Sequence, residues 1–165
     1  MIEMQEVTED VAALRRTFGC FPSGVTAVCA LVDGTPTGMA ASTFTSVSLA
    51  PPLVSICVQN TSETWPKLRN APRLGLSVLA ENHNEACLRL SRKEGDRFTG
   101  VDWEARPGGG VFVLDATAWL DCRLHDEIPA GDHMIVLLEV QCLAARPETP
   151  PLVFHTSRFR RLAPA

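Results

Sequence analysis

Residues 38–60 concentrate the side chains best suited to hold a flat polar ligand. The first half of this stretch is rich in small and hydroxylated residues, namely Ala40, Ala41, Ser42, Thr43, Thr45, Ser46 and Ser48. Small side chains let a ligand approach the backbone, while hydroxyls and free N–H groups can hydrogen-bond a polar ring or a phosphate. A polar strand, a turn and a buried strand of any β-protein would show the same composition. This stretch alone therefore leaves a ligand site and an ordinary β-segment both open.

Motifs of several other chemistries are missing or weak. Residues 108–110 are three glycines, but no Lys-Ser/Thr pair follows them, which argues against a phosphate loop. The sequence has neither the G-x-G-x-x-G of a dinucleotide fold nor the G-x-S-x-G of a hydrolase. His83 and Cys87 are four residues apart, but no further ligand pair supports a metal site, so we expect none. Asp132 and His133 can be a general base with its orienting carboxylate, or simply a surface pair.

The composition is that of an ordinary globular domain. The 165 residues are 45% hydrophobic and carry a formal net charge of −4, so we expect one domain, residues 1–165, and no nucleic-acid footprint. The acidic start lacks a signal-peptide pattern, and no apolar stretch approaches the roughly 18 residues of a membrane helix. The six cysteines form no C-x-x-C pair and are typical of buried thiols in a reducing compartment. We therefore expect a cytoplasmic protein.

The elements of the first half are predicted from apolar spacing and turn signals. Thr8 is expected to cap a short helix whose apolar stripe packs on the domain. Residues 25–32 predict a buried strand, and Asp33-Gly34 predicts a hairpin turn into a return strand at the start of the 38–60 stretch. We expect Pro51-Pro52 to stop local pairing before a further strand at residues 53–58.

The second half predicts two short helices among further strands. Ser62 and Asn82 are the expected helix caps. Strands are expected at residues 73–79, 111–114, 117–124, 133–144 and 152–155. A total of about six or seven strands joined by hairpins and longer crossings predicts a closed or nearly closed barrel.

Five segments occur along the chain in an order and spacing that identify a protein family more specifically than any single segment does. They are Phe21-Pro22-Ser23-Gly24-Val25, Ala41-Ser42-x-Phe44-x-Ser46-Val47-Ser48-Leu49 with Pro51-Pro52-Leu53-Val54, Cys57-Val58-x-Asn60 with Ser62, Asp96-Arg97-Phe98-x-Gly100-Val101-x-Trp103, and Gly131-Asp132-His133-x-Ile135. Together they resemble the flavin reductase-like family, the short-chain NAD(P)H:flavin oxidoreductases. The resemblance implies a mainly β fold with short helices, an FMN-binding split β-barrel. It also implies a homodimer with a flavin groove near the interface.

The resemblance also assigns roles to individual residues. It implies that Ala40, Ala41, Ser42 and Thr43 face the isoalloxazine ring of FMN or FAD, and that Ser46, Val47 and Ser48 face the ribityl chain and phosphate. Asn60 and Ser62 match the next loop of the same groove. Phe98 matches an aromatic residue near the flavin, and His133 matches the residue near the nicotinamide, which makes it the candidate catalytic residue.

The chemistry of hydride transfer agrees with these roles. The cofactors carry the reaction, so the protein has to supply stacking geometry rather than a nucleophile. Backbone N–H groups of residues 41–43 can stabilise negative charge on the ring, and Arg92, Lys93 or Arg97 can neutralise a phosphate. The implied activity is transfer of a hydride from NADH or NADPH to FMN or FAD. Such reductases typically supply reduced flavin to a separate monooxygenase, which is the implied partner.

Three residues depart from the family pattern. Leu138 stands where a glycine is usual in the strand after His133, Ala50 replaces an acidic residue before the prolines, and Ser157 replaces a glycine near the end. Leu138 keeps a second hypothesis open, a non-catalytic flavin-binding module of the same fold. A relative of the pyridoxamine-phosphate oxidase barrels is a third, although no clustered Arg/Lys phosphate clamp is visible.

Overall fold

The structure, a computed structural model, describes residues 1–165 as twelve β-strands and three short α-helices. The helices are α1 (Val11–Gly19), α2 (Trp65–Leu68) and α3 (Asn84–Leu90). The strands are β1 (Ser23–Gly24), β2 (Thr26–Val32), β3 (Thr35–Ala41), β4 (Thr45–Leu49), β5 (Pro52–Gln59), β6 (Leu74–Val78), β7 (Trp103–Ala105), β8 (Val111–Val113), β9 (Ala118–Ala130), β10 (His133–Ala145), β11 (Val153–His155) and β12 (Arg158–Arg160). The chain is thus mainly β with short helices. None of the helices combines the length and apolar character needed to cross a membrane.

Seven strands form one antiparallel sheet in the order β3-β2-β6-β9-β10-β5-β4. Its two edge strands, β3 and β4, are consecutive in the chain and joined by residues 42–44. β1, β11 and β12 form a small second sheet, and β7 pairs with β8. One apolar cluster lies inside the curved main sheet, and a second fills the space between β2, α3 and β8.

Turn chemistry sets the first hairpin as predicted. Asp33 and Gly34 both have positive φ angles, 50° and 77°, which is the geometry of a type I′ turn between paired strands. At the other end of the stretch the prediction is wrong. Pro51-Pro52 does not stop local pairing, because Pro52 opens β5 opposite Leu49 and the two strands form a hairpin. Proline is tolerated at the first position of a strand, where its missing N–H costs no ladder bond.

The N-terminal helix also differs from expectation. Its N-cap is Asp10 rather than Thr8, and the Asp10 carboxylate accepts from the N–H groups of Ala12 and Ala13. None of its residues is buried, and Phe18 remains 69% exposed. The predicted packing of its apolar stripe on the domain is therefore wrong. Helical spacing identifies an apolar face but does not say whether the same chain covers it.

The other two helices are shorter than predicted. The hydroxyl of Ser62 does accept from the Trp65 N–H at the start of α2, but the helix ends at Leu68. The cap of α3 is His83, not Asn82. His83 Nδ1 accepts from the Ala80 N–H at 3.0 Å, and burial lowers the pKa of its imidazole. This bond fixes the turn before the helix through a side chain that the sequence pattern presents as a possible metal ligand.

A carboxylate from the main sheet anchors α2. Glu127 on β9 accepts from the buried Trp65 indole Nε1 at 2.6 Å and from Arg69 Nη2 at 2.7 Å. The Glu127 side chain is only 13% exposed. Its hydrogen bond with Arg69, reinforced by that of Trp65, lowers the pKa of the Glu127 carboxyl below its ordinary 4.5.

We predict that Glu127→Gln lowers the free energy of unfolding by about 1–2 kcal/mol at pH 7, since the amide replaces a charge-assisted acceptor. Because the folded pKa is depressed, the difference from wild type is complete above the unfolded pKa of about 4.5 and disappears as pH falls through the folded value. Urea unfolding at pH 7 and at pH 3 to 4 measures it. Glu148→Gln, at an exposed carboxylate without an ion pair, is the control. An equal loss for Glu127→Gln at both pH values would contradict the assignment.

Candidate functional site

A groove of about 720 Å³ opens beside the end of β3. Its wall comes from five parts of the chain, which are residues 39–43, residues 57–59 of β5, the loop 61–64 before α2, the end of α3 with its following loop, and His133 at the start of β10. The volume lies within the range of sites that take drug-sized ligands. The fold therefore brings segments that are far apart in sequence to one cleft.

One wall of the groove is built from small side chains with free backbone donors. Ala40, Ala41, Ser42 and Thr43 all line it, and their contact with an isoalloxazine ring stays a prediction. The N–H groups of Ser42 and Thr43 donate to no other group of the protein. The hydroxyl of buried Thr26 holds the Ala41 carbonyl from behind at 3.1 Å. This wall therefore offers hydrogen-bond donors where a flat ring can approach the backbone.

The Thr43 side chain does not point its hydroxyl to a ligand. Its Oγ1 accepts from the Cys57 N–H at 2.8 Å and donates to the Cys57 carbonyl at 3.3 Å. The hydroxyl is thus committed to β5, and only the backbone of Thr43 is free to face the groove.

Arg97 supplies positive charge in a fixed position. Its Nη1 donates to the Gly38 carbonyl and to the Thr64 hydroxyl, both at 2.9 Å. The remaining guanidinium nitrogens have no protein partner, so they can meet an anionic group of a ligand. The Asp96 carboxylate shapes this loop by accepting from the Thr99 hydroxyl and the Phe98 N–H, and these bonds lower the pKa of Asp96.

His133 faces the groove from the opposite side. Its Nδ1 lies 2.6 Å from an oxygen of the exposed Asp132 carboxylate. This hydrogen bond lowers the pKa of the Asp132 carboxyl and holds the imidazole through Nδ1. The second ring nitrogen, Nε2, then remains available to a ligand.

Ser62 lines the groove, whereas Asn60 lies just outside it. The Asn60 amide donates to the Gly131 carbonyl at 3.3 Å and stabilises the turn that carries His133. Asn60 borders a neighbouring cavity of about 310 Å³, which shares Ser62 with the groove. The cofactor contact assigned to Asn60 stays a prediction, and the position of the residue gives it a clear role in holding the β5–β10 connection.

Four of the predicted site residues lie away from the groove within this chain. Ser46, Val47 and Ser48 belong to β4, where a bulge places Val47 between the paired positions. Phe98 is 8% exposed and packs edge-to-face on Trp103, with ring centroids 6.2 Å apart. Their contacts with a flavin stay predictions.

The groove also includes residues to which the family resemblance assigns no role. Glu63, Lys93 and Glu94 line it together with Gln59 and Thr64, while Arg92 does not. Lys93 is one of the three possible phosphate partners that the sequence offers, and the two glutamates carry no motif. The charged composition of residues 93–97 was the one available signal that this loop borders a polar site.

The departures from the family pattern do not reach the groove. Leu138 is fully buried in the core of the main sheet, opposite Leu124 and Val54. Ser157 lies in the turn between β11 and β12 with a φ of +61°, a conformation that explains a preference for glycine.

Comparisons with known proteins find a matching family and similar solved structures. The family model described as "Flavin reductase like domain" matches residues 18–163. A flavin reductase of Pseudomonas putida is 38% identical over 146 residues, covering 88% of this chain and 86% of that protein. The reductase subunit HsaB of a flavin-dependent monooxygenase from Rhodococcus jostii is 34% identical over 170 residues, covering 98% and 87%. A solved structure of the NADH:FAD oxidoreductase SgcE6 from Streptomyces globisporus, in complex with NAD and FAD fragments, superposes with a TM-score of 0.90 at 38% identity and covers 98% of each chain.

Gly38 gives a test of the packing behind the groove wall. A Cβ at this buried position would overlap Cys29 Sγ and lie 3.1 Å from Phe98 Cζ. We expect Gly38→Ala to lower the free energy of unfolding by about 1–3 kcal/mol, because both neighbours must move. Urea unfolding measures the loss. Gly24→Ala is the matched control, since a Cβ there would meet nothing within 4 Å. Equal stability of the two variants would show that the wall is not tightly packed.

Proposed function

The chain belongs to the flavin reductase-like family, and from this we propose that it transfers hydride from NADH to FAD for use by a separate monooxygenase. Family membership confirms the predicted split β-barrel and the predicted activity of a flavin reductase. The observation that carries the proposal is the groove, which combines free N–H groups on a wall of small residues with His133 on the opposite side.

The residues of the groove fit a flavin. Ala40 and Ala41 leave room for a flat ring against the backbone, and the N–H groups of Ser42 and Thr43 are free to donate to its polar edge. Arg97 is fixed through Nη1 and has further donors for a phosphate. The same cleft thus offers contacts to both ends of an FMN moiety.

When bound side by side, a dihydronicotinamide supplies the hydride and a flavin ring accepts it with a proton. The task of the chain is to hold the two rings in contact and to keep water from between them. We propose that His133 orients the nicotinamide through Nε2, because Asp132 fixes the other ring nitrogen. The groove that receives both ligands is open to solvent at the His133 side, where the imidazole is 36% exposed.

The choice of NADH and FAD rests on relatives. One solved relative is an NADH:FAD oxidoreductase and was studied with NAD and FAD fragments. A Streptomyces globisporus relative described as an NADH-dependent FAD reductase is 41% identical over 162 residues. FMN and NADPH are the alternatives that the assay below separates.

We also propose that the protein is cytoplasmic and that a monooxygenase is its partner. Relatives from Rhodococcus jostii and Mycobacterium tuberculosis are reductase subunits of a flavin-dependent monooxygenase, which supports a monooxygenase as the partner that consumes the reduced flavin. All six cysteines are free thiols, which supports a cytoplasmic location. We propose that residues 1–165 act as one flavin reductase-like domain.

A homodimer is supported by the exposed apolar surface of β4. Leu49 is 95% exposed and Val47 is 48% exposed, both on an edge strand of the main sheet. An exposed edge strand with apolar side chains favours association with another chain. In a dimer this strand would be covered, and Ser46 and Ser48 would lie at the interface, next to a site to which both protomers contribute.

We expect NADH oxidation to accelerate on addition of FAD, more than with FMN or riboflavin, and NADH to be used better than NADPH. Steady-state absorbance at 340 nm with each nicotinamide and flavin pair measures this. No turnover above the flavin-free rate with any pair would contradict the proposed activity. Tight flavin binding without such turnover would instead favour the non-catalytic flavin-binding module.

We expect His133→Ala to lower kcat with NADH by about tenfold or more, because nicotinamide positioning is lost. The Kd for FAD should change by less than about threefold, since His133 is assigned to the other ligand. Stopped-flow reduction and fluorescence titration separate the two effects. His155→Ala, outside the groove, is the control. A variant that weakens only flavin binding would show that the nicotinamide assignment is wrong.

Leu49→Asp should shift the protein from dimer to monomer, because a carboxylate would be buried in the proposed interface. Size-exclusion chromatography with light scattering measures the mass. Leu143→Asp replaces another exposed leucine, at the far end of β10, and should leave the dimer intact. A wild-type protein that is monomeric at micromolar concentration would contradict the homodimer.

A further inference from the structure

The pairing of β5 is incomplete on one side. Along one edge, β5 is bonded to β10 from Leu53 to Gln59. Along the other edge, β4 pairs only as far as Ser55, opposite Thr45. The next backbone groups on that edge are the N–H and carbonyl of Cys57, and both need partners, because unpaired backbone groups in a sheet are costly.

A side chain takes the place of the missing strand. The Thr43 hydroxyl accepts from the Cys57 N–H at 2.8 Å and donates to the Cys57 carbonyl at 3.3 Å. In a regular ladder the backbone of the residue opposite Cys57 would make both bonds. We call this contact between Thr43 and Cys57 the seam, because it joins the connection between the two edge strands to β5.

The seam has a consequence for the groove wall. Because one hydroxyl satisfies both groups of Cys57, the backbone of residues 42 and 43 is released from pairing. Its two N–H groups donate to nothing in the protein and border the groove. The upstream end of the same segment is held by the bond from the Thr26 hydroxyl to the Ala41 carbonyl. The free donors are thus held in place from both ends by threonine side chains.

We propose that Thr43 is a positioning residue that sets the N–H groups of Ser42 and Thr43 toward the flavin through its two hydrogen bonds to Cys57. This inference rests on the proposed function, since it assigns the released donors to the flavin of that reaction. The family resemblance places residues 40–43 at the ring but assigns no separate role to the Thr43 hydroxyl. Thr43 acts through the backbone, and its hydroxyl never touches the ligand.

Three substitutions at Thr43 separate the effect of its hydroxyl group from the effect of its side-chain shape. Thr43→Val keeps the branched shape and loses both bonds. Thr43→Ser keeps the hydroxyl, and Thr43→Ala loses it without adding bulk, so the serine and alanine variants form a second comparison if the valine variant does not fold. Thr35→Val is the matched control, because Thr35 is an exposed threonine at the start of β3, outside the groove, whose hydroxyl makes no hydrogen bond.

The first measurement is ligand binding, by fluorescence titration of each full-length protein with FAD and with FMN. We expect the flavin Kd to rise about tenfold in Thr43→Val and Thr43→Ala, a factor equal to roughly one net hydrogen bond. Thr43→Ser and Thr35→Val should stay within about threefold of wild type. The KM for NADH should be unchanged in all four, because the released donors are assigned to the flavin alone.

The second measurement follows the seam directly, by amide hydrogen exchange of the Cys57 N–H without ligand. Exchange should accelerate at least about tenfold in the valine and alanine variants and remain slow in the serine variant and the control. Faster exchange of Cys57 with an unchanged flavin Kd would overturn the proposal, since the seam would then be only structural. A flavin Kd that rises equally in Thr43→Ser would overturn it as well, because the hydroxyl would not be the cause.

The outcome for wild type separates this inference from the function on which it rests. A wild-type protein that neither binds flavin nor oxidises NADH with it would overturn the proposed function and the role of Thr43 with it. A wild-type protein that does both, with a valine variant that behaves identically, would overturn only the role of Thr43.

Discussion

The site depends on how a β-sheet is left unfinished. A sheet that curves back on itself must either close by backbone pairing or satisfy the open groups in another way. Here β3 and β4 stay apart, and a hydroxyl from the segment between them bonds to the backbone of β5. Because of these bonds, the gap between β3 and β4 leaves no unpaired backbone group at Cys57. It also leaves two N–H donors exposed at the rim of a cleft. The same arrangement therefore stabilises the fold and creates the binding surface.

The remaining parts of the groove are held by contacts that cross long distances in sequence. Arg97 ties the loop after α3 to the Gly38 carbonyl on β3 and to Thr64 before α2. Asn60 ties the end of β5 to the turn that carries His133. Each loop is fixed by a polar bond to another part of the chain, and buried Phe98 also anchors the loop of Arg97. This suits a site that must keep its geometry while two ligands enter and leave.

The sequence predicts those features of the structure that depend on only a few adjacent residues. The Asp33-Gly34 hairpin was predicted because its turn requires positive φ at both positions, and few residue pairs allow that. The small residues 40–43 were placed on the site by motif and lie on the groove. The Pro51-Pro52 prediction failed because a proline blocks one N–H, and whether that N–H was needed depends on the partner strand. The sequence underestimates the length of β9, which has thirteen residues, because the polar run of residues 125–127 interrupts its apolar pattern.

The sequence does not show which side chains are buried or which groups they hydrogen-bond. The motif containing Phe98 predicts an aromatic residue near the flavin, but only the packing of Trp103 and Gly38 shows that the ring fills the core. The hydroxyl of Thr43 reads as a ligand contact until its distance from Cys57 is known. The apolar face of α1 and Leu49 of β4 are exposed in the chain by itself, and the pattern of one sequence does not distinguish such residues from buried ones. Motif order thus locates the cleft, while the hydrogen-bond partners of each side chain decide whether the residue acts on a ligand directly or through its neighbours.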